Sequence, residues 1–370
     1  MLRAAGVATA ILVLLPFSVV HAASWQKAIT LPMTVEYDSN PRLDTDNQKA
    51  VTRTIIAPDY SLVGAFGRDE LRLGMGLHVE RSSDQSVVLN REDPSLQLGW
   101  QRESETGGFG LTARYVESST LSSALEETGV VASDGTQKKY ALAGNWHAAI
   151  GGLSTLTSDT EYASVNYDID SLTSYDEVST SLSWNYAWSA RVEPFTRFAV
   201  SRYEPKSGTA ATASSNNYSP TAGVLLKITE RLEGTLRAGA SSGSGAESGA
   251  RGQGGFELHY IGERFDTSID AGRSTVTSGE GGFVEITALR GAWSYVVDET
   301  SRAGIDASWQ DSKGRAPNTL RQFGVWASRE LSPLWVARLA LTYKQRQQDG
   351  LPDASANIIG MTLIYSHPDF

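Results

Sequence analysis

From Ile29 onward, apolar residues recur at every second position, and this period persists almost to the end of the chain. Leu71, Leu73, Met75, Leu77 and Val79 alternate with Arg72, Gly74, Gly76, His78 and Glu80. Trp335, Ala337, Leu339, Leu341 and Tyr343 alternate with Val336, Arg338, Ala340, Thr342 and Lys344. Successive side chains of a strand point to opposite faces, so each such segment has one apolar and one polar face. No stretch beyond the first residues reads as a helix, and the chain is expected to be all-β.

The breaks between segments constrain the fold further. Eighteen segments are delimited, beginning with 29–38, 50–65 and 69–82 and ending with 317–330, 333–347 and 354–367. Every second connection is short, as at Gly67-Arg68, Glu105-Thr106 and Leu331-Ser332. The intervening ones are longer and polar, as from Asp38 to Gln48, Ser118 to Thr136, Glu204 to Asn216 and Ser241 to Arg251. Short turns at one end and long loops at the other, around an even number of strands, describe a transmembrane antiparallel β-barrel. The expected fold is thus a single barrel of about 18 strands, with 16 as the alternative count.

A soluble sandwich or propeller explains the pattern less well. No repeat of 40–50 residues marks propeller blades. Phe109, Trp146, Trp188, Tyr260, Phe265, Tyr295 and Trp335 cluster at the short turns, where a ring gains from straddling a lipid–water boundary. A terminal aromatic, Phe370, is also common in bacterial outer-membrane barrels, although it falls out of phase with Met361, Leu363 and Tyr365.

Residues 1–22 read as a cleaved export signal: Arg3, an apolar run from Ala4 to Val20, and small residues in Val20-His21-Ala22. Residues 23–370 form the barrel, placed in the outer membrane of a Gram-negative cell with lipid and lipopolysaccharide as its partners. No later segment has the ~20 consecutive apolar residues of a spanning helix. The chain has no Cys, which excludes a disulfide framework and thiolate chemistry. Its net charge of −10 argues against nucleic acid as a partner.

Eighteen strands close a cylinder too wide for side chains alone to fill. The lumen is expected to hold water, folded-in loops, or both, and no N-terminal plug is read from the sequence. If the apolar phase faces lipid, Arg72, His78, Glu80, Arg114, His147, Arg237, Glu257, His259, Asp306, Arg338 and Lys344 line the pore. Both charge signs occur along it, which suits a hydrated solute better than strong ion selection. Glu161, Arg197 and Arg202 stand in segments that do not alternate cleanly. Trp326 falls in the lumenal phase and is a candidate for stacking on a sugar ring.

No catalytic constellation is evident, and no enzyme activity, cofactor or metal is expected. His78, His147 and His259 sit mid-strand in the polar phase, and an imidazole in a polar wall needs no catalytic explanation. The loop from Asp38 to Asp46 offers oxygen ligands for a cation but lacks EF-hand spacing.

The stretch Val35-Glu36-Tyr37-Asp38-Ser39-Asn40-Pro41 resembles a segment of outer-membrane barrels encoded with exopolysaccharide and exosortase systems. That resemblance implies an exit channel for secreted polysaccharide, working with periplasmic export components; it assigns no residue. The alternative is a general or sugar-selective diffusion porin. A porin commonly folds one long loop inward, and Ser118 to Thr136 is the best candidate. Its charges, Glu126, Glu127 and Asp134, are acidic only.

Overall fold

The computed structural model of the protein describes residues 24–129, 133–206, 213–244 and 249–368. The predicted export signal and Phe370 lie outside the described residues. The chain opens with β1 (Ser24–Asp38), β2 (Val51–Ile56), β3 (Asp59–Phe66), β4 (Asp69–Ser82), β5 (Arg91–Ser104) and β6 (Gly107–Ser119). A helix, α1 (Thr120–Thr128), follows. Then come β7 (Thr136–Ile150), β8 (Ser154–Tyr167), β9 (Tyr175–Tyr186), β10 (Val192–Pro205), β11 (Ser215–Lys227) and β12 (Leu232–Ser244). The last elements are β13 (Gly249–Ile261), β14 (Phe265–Ser278), β15 (Gly282–Val296), β16 (Ser301–Lys313), β17 (Asn318–Ser332), β18 (Trp335–Gln348) and β19 (Ala354–His367).

Apart from β2 and β3, which do not pair with each other, each strand pairs antiparallel with its sequence neighbours, and β1 closes the sheet on β19 from Ile29↔His367 to Asp38↔Ile358. Of the 19 segments among the described residues, β2 and β3 are two halves of one wall position, so the barrel has 18 strands. Both halves lie between β1 and β4. The interruption falls at Ala57-Pro58, where proline has no N–H for the ladder. The Ala57 amide donates to the Pro32 carbonyl at 3.1 Å and the Leu77 amide to the Pro58 carbonyl at 3.1 Å, so the wall stays bonded across the kink. Closure leaves no sheet edge in hydrocarbon, the condition a membrane sets for strands. No described helix is long and apolar enough to cross a bilayer.

The outer face carries a belt of exposed apolar side chains on successive strands, among them Leu98, Leu111, Leu142, Leu182, Phe198, Leu236, Leu339 and Met361. Phe109 and Trp100 pack edge to face, with centroids 4.9 Å apart, at the short-turn end. Trp25 and Phe66 do likewise at 5.1 Å, and Tyr260 stacks on Phe265 at 5.0 Å. Glycines opposite bulky rings make room for several of these side chains. Trp25 is paired with Gly64, Phe195 with Gly223 and Trp326 with Gly304. A Cβ at any of the three glycines would come within 2.4–2.5 Å of the facing ring.

Two expectations are corrected. The strands run further than the apolar periodicity indicated: β1 begins at Ser24 rather than 29, and β12 and β13 extend well into the Ser241–Arg251 segment read as loop. There the wall has left the apolar band, so Ser and Gly on both faces erase the alternation. The chain also contains a helix where none was expected. Ser119 caps it, its Oγ accepting from the Leu121 amide at 3.1 Å, and left-handed Gly129 closes it with a 3.0 Å bond to the Leu125 carbonyl. Leu121, Ala124 and Leu125 form its buried stripe, spaced three and four residues apart.

Candidate functional site

The pairing registers place Arg72, His78, Glu80, Arg114, His147, Arg237, Glu257, His259, Asp306, Arg338 and Lys344 on the face opposite the apolar belt. They are not gathered at one point but spread around the inner wall. His147 lies 3.4 Å from Glu103, and His259 lies 3.2 Å from Asp266 rather than on Glu257. Glu257 pairs with Arg237 at 3.0 Å, and Arg72 pairs with Glu70. The Asp306 carboxylate lies over Gly324, which has no side chain to obstruct it. Of the residues left unassigned, Glu161 and Arg197 face the lumen, opposite Ala143 and Ser183. Arg202 stands on the outer phase and pairs with Glu204.

Trp326 does face the lumen, opposite Gly304 and Ala340. One side of its ring rests on Gly304, and the Arg338 guanidinium covers the ring at 4.4 Å from its centroid. The expected free stacking platform is therefore capped by a cation.

A denser polar cluster occupies the long-loop end. Arg53 pairs with Glu36, with Glu80 at 3.1 Å and with Asp38 at 3.9 Å, while His78 approaches Glu80 at 3.4 Å. Arg91 binds Asp93 at 2.5 Å, Asp134 at 3.1 Å and the Gly135 carbonyl at 3.2 Å. Arg53, Asp38, Glu80, His78, Arg91 and Asp93 line, with Lys344, a cavity of about 330 Å³ against α1. Arg53 and Arg91 were not among the expected site residues, because both stand where the apolar alternation fades into loop. The oxygens of the Asp38–Asp46 loop serve the loop's own structure: Asp38 accepts from the Asn40 amide at 2.9 Å, and Asn40 donates to the Asp44 and Ser355 carbonyls. Among the described residues no group of three or more acidic or His side chains is placed to hold a metal ion.

The segment containing α1 folds into the lumen. Leu121 packs with Val51, Val87 and Val88, and Leu125 with Leu43, Leu320, Ala354 and Ala356. Leu320, Ala354 and Ala356 belong to the lumenal phase of β17 and β19, so the helix reaches from β6 far around the inner wall. Burying a leucine contributes roughly 2–3 kcal/mol, and this apolar stripe fastens the segment. Its loop carries no cation, and the opposing cations come from the wall.

A second element also folds inward, and periodicity gave no warning of it. β14 pairs with β13 only up to Gly254↔Arg273, and β15 pairs with β16 only up to Glu285↔Lys313. Beyond them Ser274 and Thr275 pair only with Ile286 and Glu285, and Val276–Ser278 pair with Gly282–Val284. Phe283 there packs on the fully buried Tyr203 of β10, beside Tyr175 and Val165. The Thr277 hydroxyl donates to Glu177 at 2.7 Å, and the Ser241 and Thr275 hydroxyls meet at 2.8 Å. Thr275 and Thr277 share the phase of lipid-facing Ile269, yet they touch lumenal residues of other strands. The change from Ile269 and Ala271 to Arg273, Thr275 and Thr277 on one phase was the available sequence signal. The two intrusions meet at Tyr167, where Gln137 links the Tyr167 hydroxyl (3.1 Å) to Glu127 (3.5 Å) and Gly279 lies against the tyrosine ring.

A closed antiparallel barrel with a polar lumen, an apolar outer belt and inward-folded segments is the architecture of an outer-membrane-type β-barrel. Solved structures share it. The outer membrane channel DcaP of Acinetobacter baumannii superposes with a TM-score of 0.51 at 12% identity, covering 93% of this chain and 97% of that one. Pseudomonas aeruginosa OccK3 (OpdO) gives 0.56 at 9% identity, with 94% and 96% covered. Acinetobacter baumannii OccAB3 gives 0.54 at 8% identity, with 93% and 99% covered. At such identities the likeness establishes the fold. No protein-family model and no curated protein matches the sequence.

Proposed function

We propose that the protein is an outer-membrane channel through which small hydrophilic solutes diffuse. The observation that carries this reading is the lumen itself, a wall of both charge signs narrowed by two segments folded in from the long-loop end. A wide barrel left open would admit solutes unselectively, and inward segments set a size limit while keeping the path wet. The charged residues on the inner wall act here as the walls of that path. The long loops face outward and the short turns face the periplasm, with lipid and lipopolysaccharide against the apolar belt.

Polysaccharide export gains no support. The stretch from Val35 to Pro41 that suggested it is the end of β1 and the start of the loop after it, with Asp38 and Asn40 buried. The inward segments also cross the room a polymer would need. Purified protein in planar bilayers should give stepwise ohmic conductance, and proteoliposomes should swell in small sugars and amino acids but not in dextran. Silent bilayers and unswollen liposomes would overturn the reading. Passage of dextran would return export to first place.

A further inference from the structure

We infer that a trough along β9 in the lumenal wall is a subsite for the zwitterionic head group of an α-amino acid, an ammonium and a carboxylate on one carbon. This rests on the diffusion-channel reading and names a class of solute for it.

The trough follows from three neighbouring strands. β9 presents Ser179, Ser181 and Ser183 to the lumen, between Asp159 and Glu161 of β8 on one side and Arg197 of β10 on the other. The backbones of β8 and β10 stand two strand spacings apart, about 9–10 Å, and the serines between them are too short to fill that width. Asp159 is directly opposite Ser181, and Arg197 is directly opposite Ser183. The Ser181 hydroxyl joins the two charges, accepting from the Arg197 guanidinium at 3.1 Å and donating to the Asp159 carboxylate at 3.4 Å. Among the described residues, neither Asp159 nor Arg197 is in a direct ion pair. Arg53 and Arg91, by contrast, already touch their carboxylates. An opposite pair kept apart by a neutral hydroxyl can receive a solute that carries both charges. Its ammonium would bind Asp159 and its carboxylate Arg197, each through charge-assisted hydrogen bonds.

The surroundings favour such a solute over a simple ion. Arg114 also lines this cavity, Lys139 lies 3.9 Å from Glu161, and Glu177 accepts from Thr277 at 2.7 Å. Three cations, Arg114, Lys139 and Arg197, thus stand with three carboxylates, Asp159, Glu161 and Glu177. A balanced site exerts no net pull on a lone anion or a lone cation. The cavity holds about 610 Å³, inside the range of about 300–1,000 Å³ for small-molecule sites. The inward β14–β15 hairpin adds Thr275, Thr277 and Phe283 to its lining, so the cavity is bounded by the hairpin as well as by the wall.

Proteoliposome uptake of radiolabelled L-serine, with glycerol as an uncharged reference, tests the subsite. L-Serine uptake should saturate while glycerol uptake stays linear. N-acetyl-L-serine, which lacks the ammonium, and L-serinamide, which lacks the carboxylate, should not compete. Asp159→Asn and Arg197→Gln should each raise the half-saturating concentration about tenfold or more, as expected for one lost charged hydrogen bond. Ser181→Leu, which fills the trough and leaves both charges, should do the same and serves if a charge variant lacks the heat-modifiable band of folded protein. Linear L-serine uptake, or half-saturation unmoved by the variants, would overturn the proposal. Equal competition by either analogue would reduce the site to a plain ion site and overturn it as well. Liposomes that take up neither L-serine nor glycerol would defeat the channel reading instead. Calorimetric titration of L-serine into the detergent-solubilised protein then decides the subsite by itself: heat lost in Asp159→Asn supports it, and no heat in the wild type overturns it.

Discussion

Arg338 lies over the indole of Trp326, its guanidinium carbon 4.4 Å from the ring centroid, and the other side of that ring rests on Gly304. The three residues sit in the lumenal phase of β18, β17 and β16, so a positive charge is presented to the lumen from a rigid aromatic base. No carboxylate forms a salt bridge with Arg338 among the described residues.

Removing that charge should change ion preference more than throughput. Arg338→Ala is expected to shift the reversal potential in a KCl gradient toward cation selectivity, with conductance in concentrated salt nearly unchanged because screening is then short-range. The loss of stability should be small, about 0.5–1 kcal/mol for an exposed cation–π pair. An unmoved reversal potential would place Arg338 off the ion path.

Leu125 anchors α1 to the far wall through Leu43, Leu320, Ala354 and Ala356. Leu125→Asp puts a carboxylate into that contact and should free the segment from the wall. Truncation of such a side chain costs about 2–5 kcal/mol, and burying a charge there costs more, so the inward position should be lost while the barrel remains closed. The expected result is larger and noisier unit conductance with an unchanged heat-modifiable band on gels. Conductance equal to wild type would show that α1 does not limit flow.

Most of the wall was legible in the sequence because a barrel imposes the same rule on every strand. Leu71 to Glu80 could be assigned to alternate faces of one strand from alternation alone. What lay beyond the apolar belt was not legible. There both faces are wet, so Arg53, Arg91, Tyr203 and Phe283 take their positions from contacts distant in sequence. The same cause hid α1, whose stripe of Leu121, Ala124 and Leu125 is too short to stand out. It also hid the inward turn of the β14–β15 hairpin, since alternation continues through Thr275 and Thr277 whether the strand stays in the wall or leaves it.

Arg53 holds together carboxylates from two neighbouring strands, Glu36 and Glu80, and its side chain is about one-fifth exposed. Replacing it by Met leaves those acids facing each other in the wall. Breaking a buried pair by removing one partner costs about 3–5 kcal/mol; partial exposure here should reduce that to roughly 1–3 kcal/mol. Unfolding in urea from lipid vesicles should show the loss. Combining Arg53→Met with Glu36→Gln should recover part of it, and a double variant no better than the single would refute the pairing.

At the short-turn end, Asp298 accepts from the Thr300 amide at 2.8 Å and the Thr300 hydroxyl at 2.9 Å, and the amide bond chiefly holds its carboxyl below the usual carboxylate range. A group whose pKa is lower when folded stabilises the fold above its unfolded pKa, and that contribution fades as pH falls through the folded value. Asp298→Ala should therefore lower the urea midpoint above about pH 5. The gap from wild type should close as the pH falls below the ordinary carboxylate value. A gap that persists at low pH would mean the turn does not depend on the charge.

Gly304 stands beneath Trp326. A Cβ at position 304 would stand 2.5 Å from two atoms of the indole, which no small adjustment absorbs, because the ring is bounded on its other side by Arg338. Gly304→Val should lift the ring from the wall, and the guanidinium stacked on it must move as well. A valine itself is well suited to a strand, so pairing of β16 with β17 should survive and the protein should still fold. The outcome to measure is again the reversal potential. If the indole sets the position of the charge, Gly304→Val should shift selectivity although no charge has been changed, and Gly304→Val with Arg338→Ala should shift it no further than Arg338→Ala alone. Additive shifts would mean that the ring and the cation act on the lumen separately.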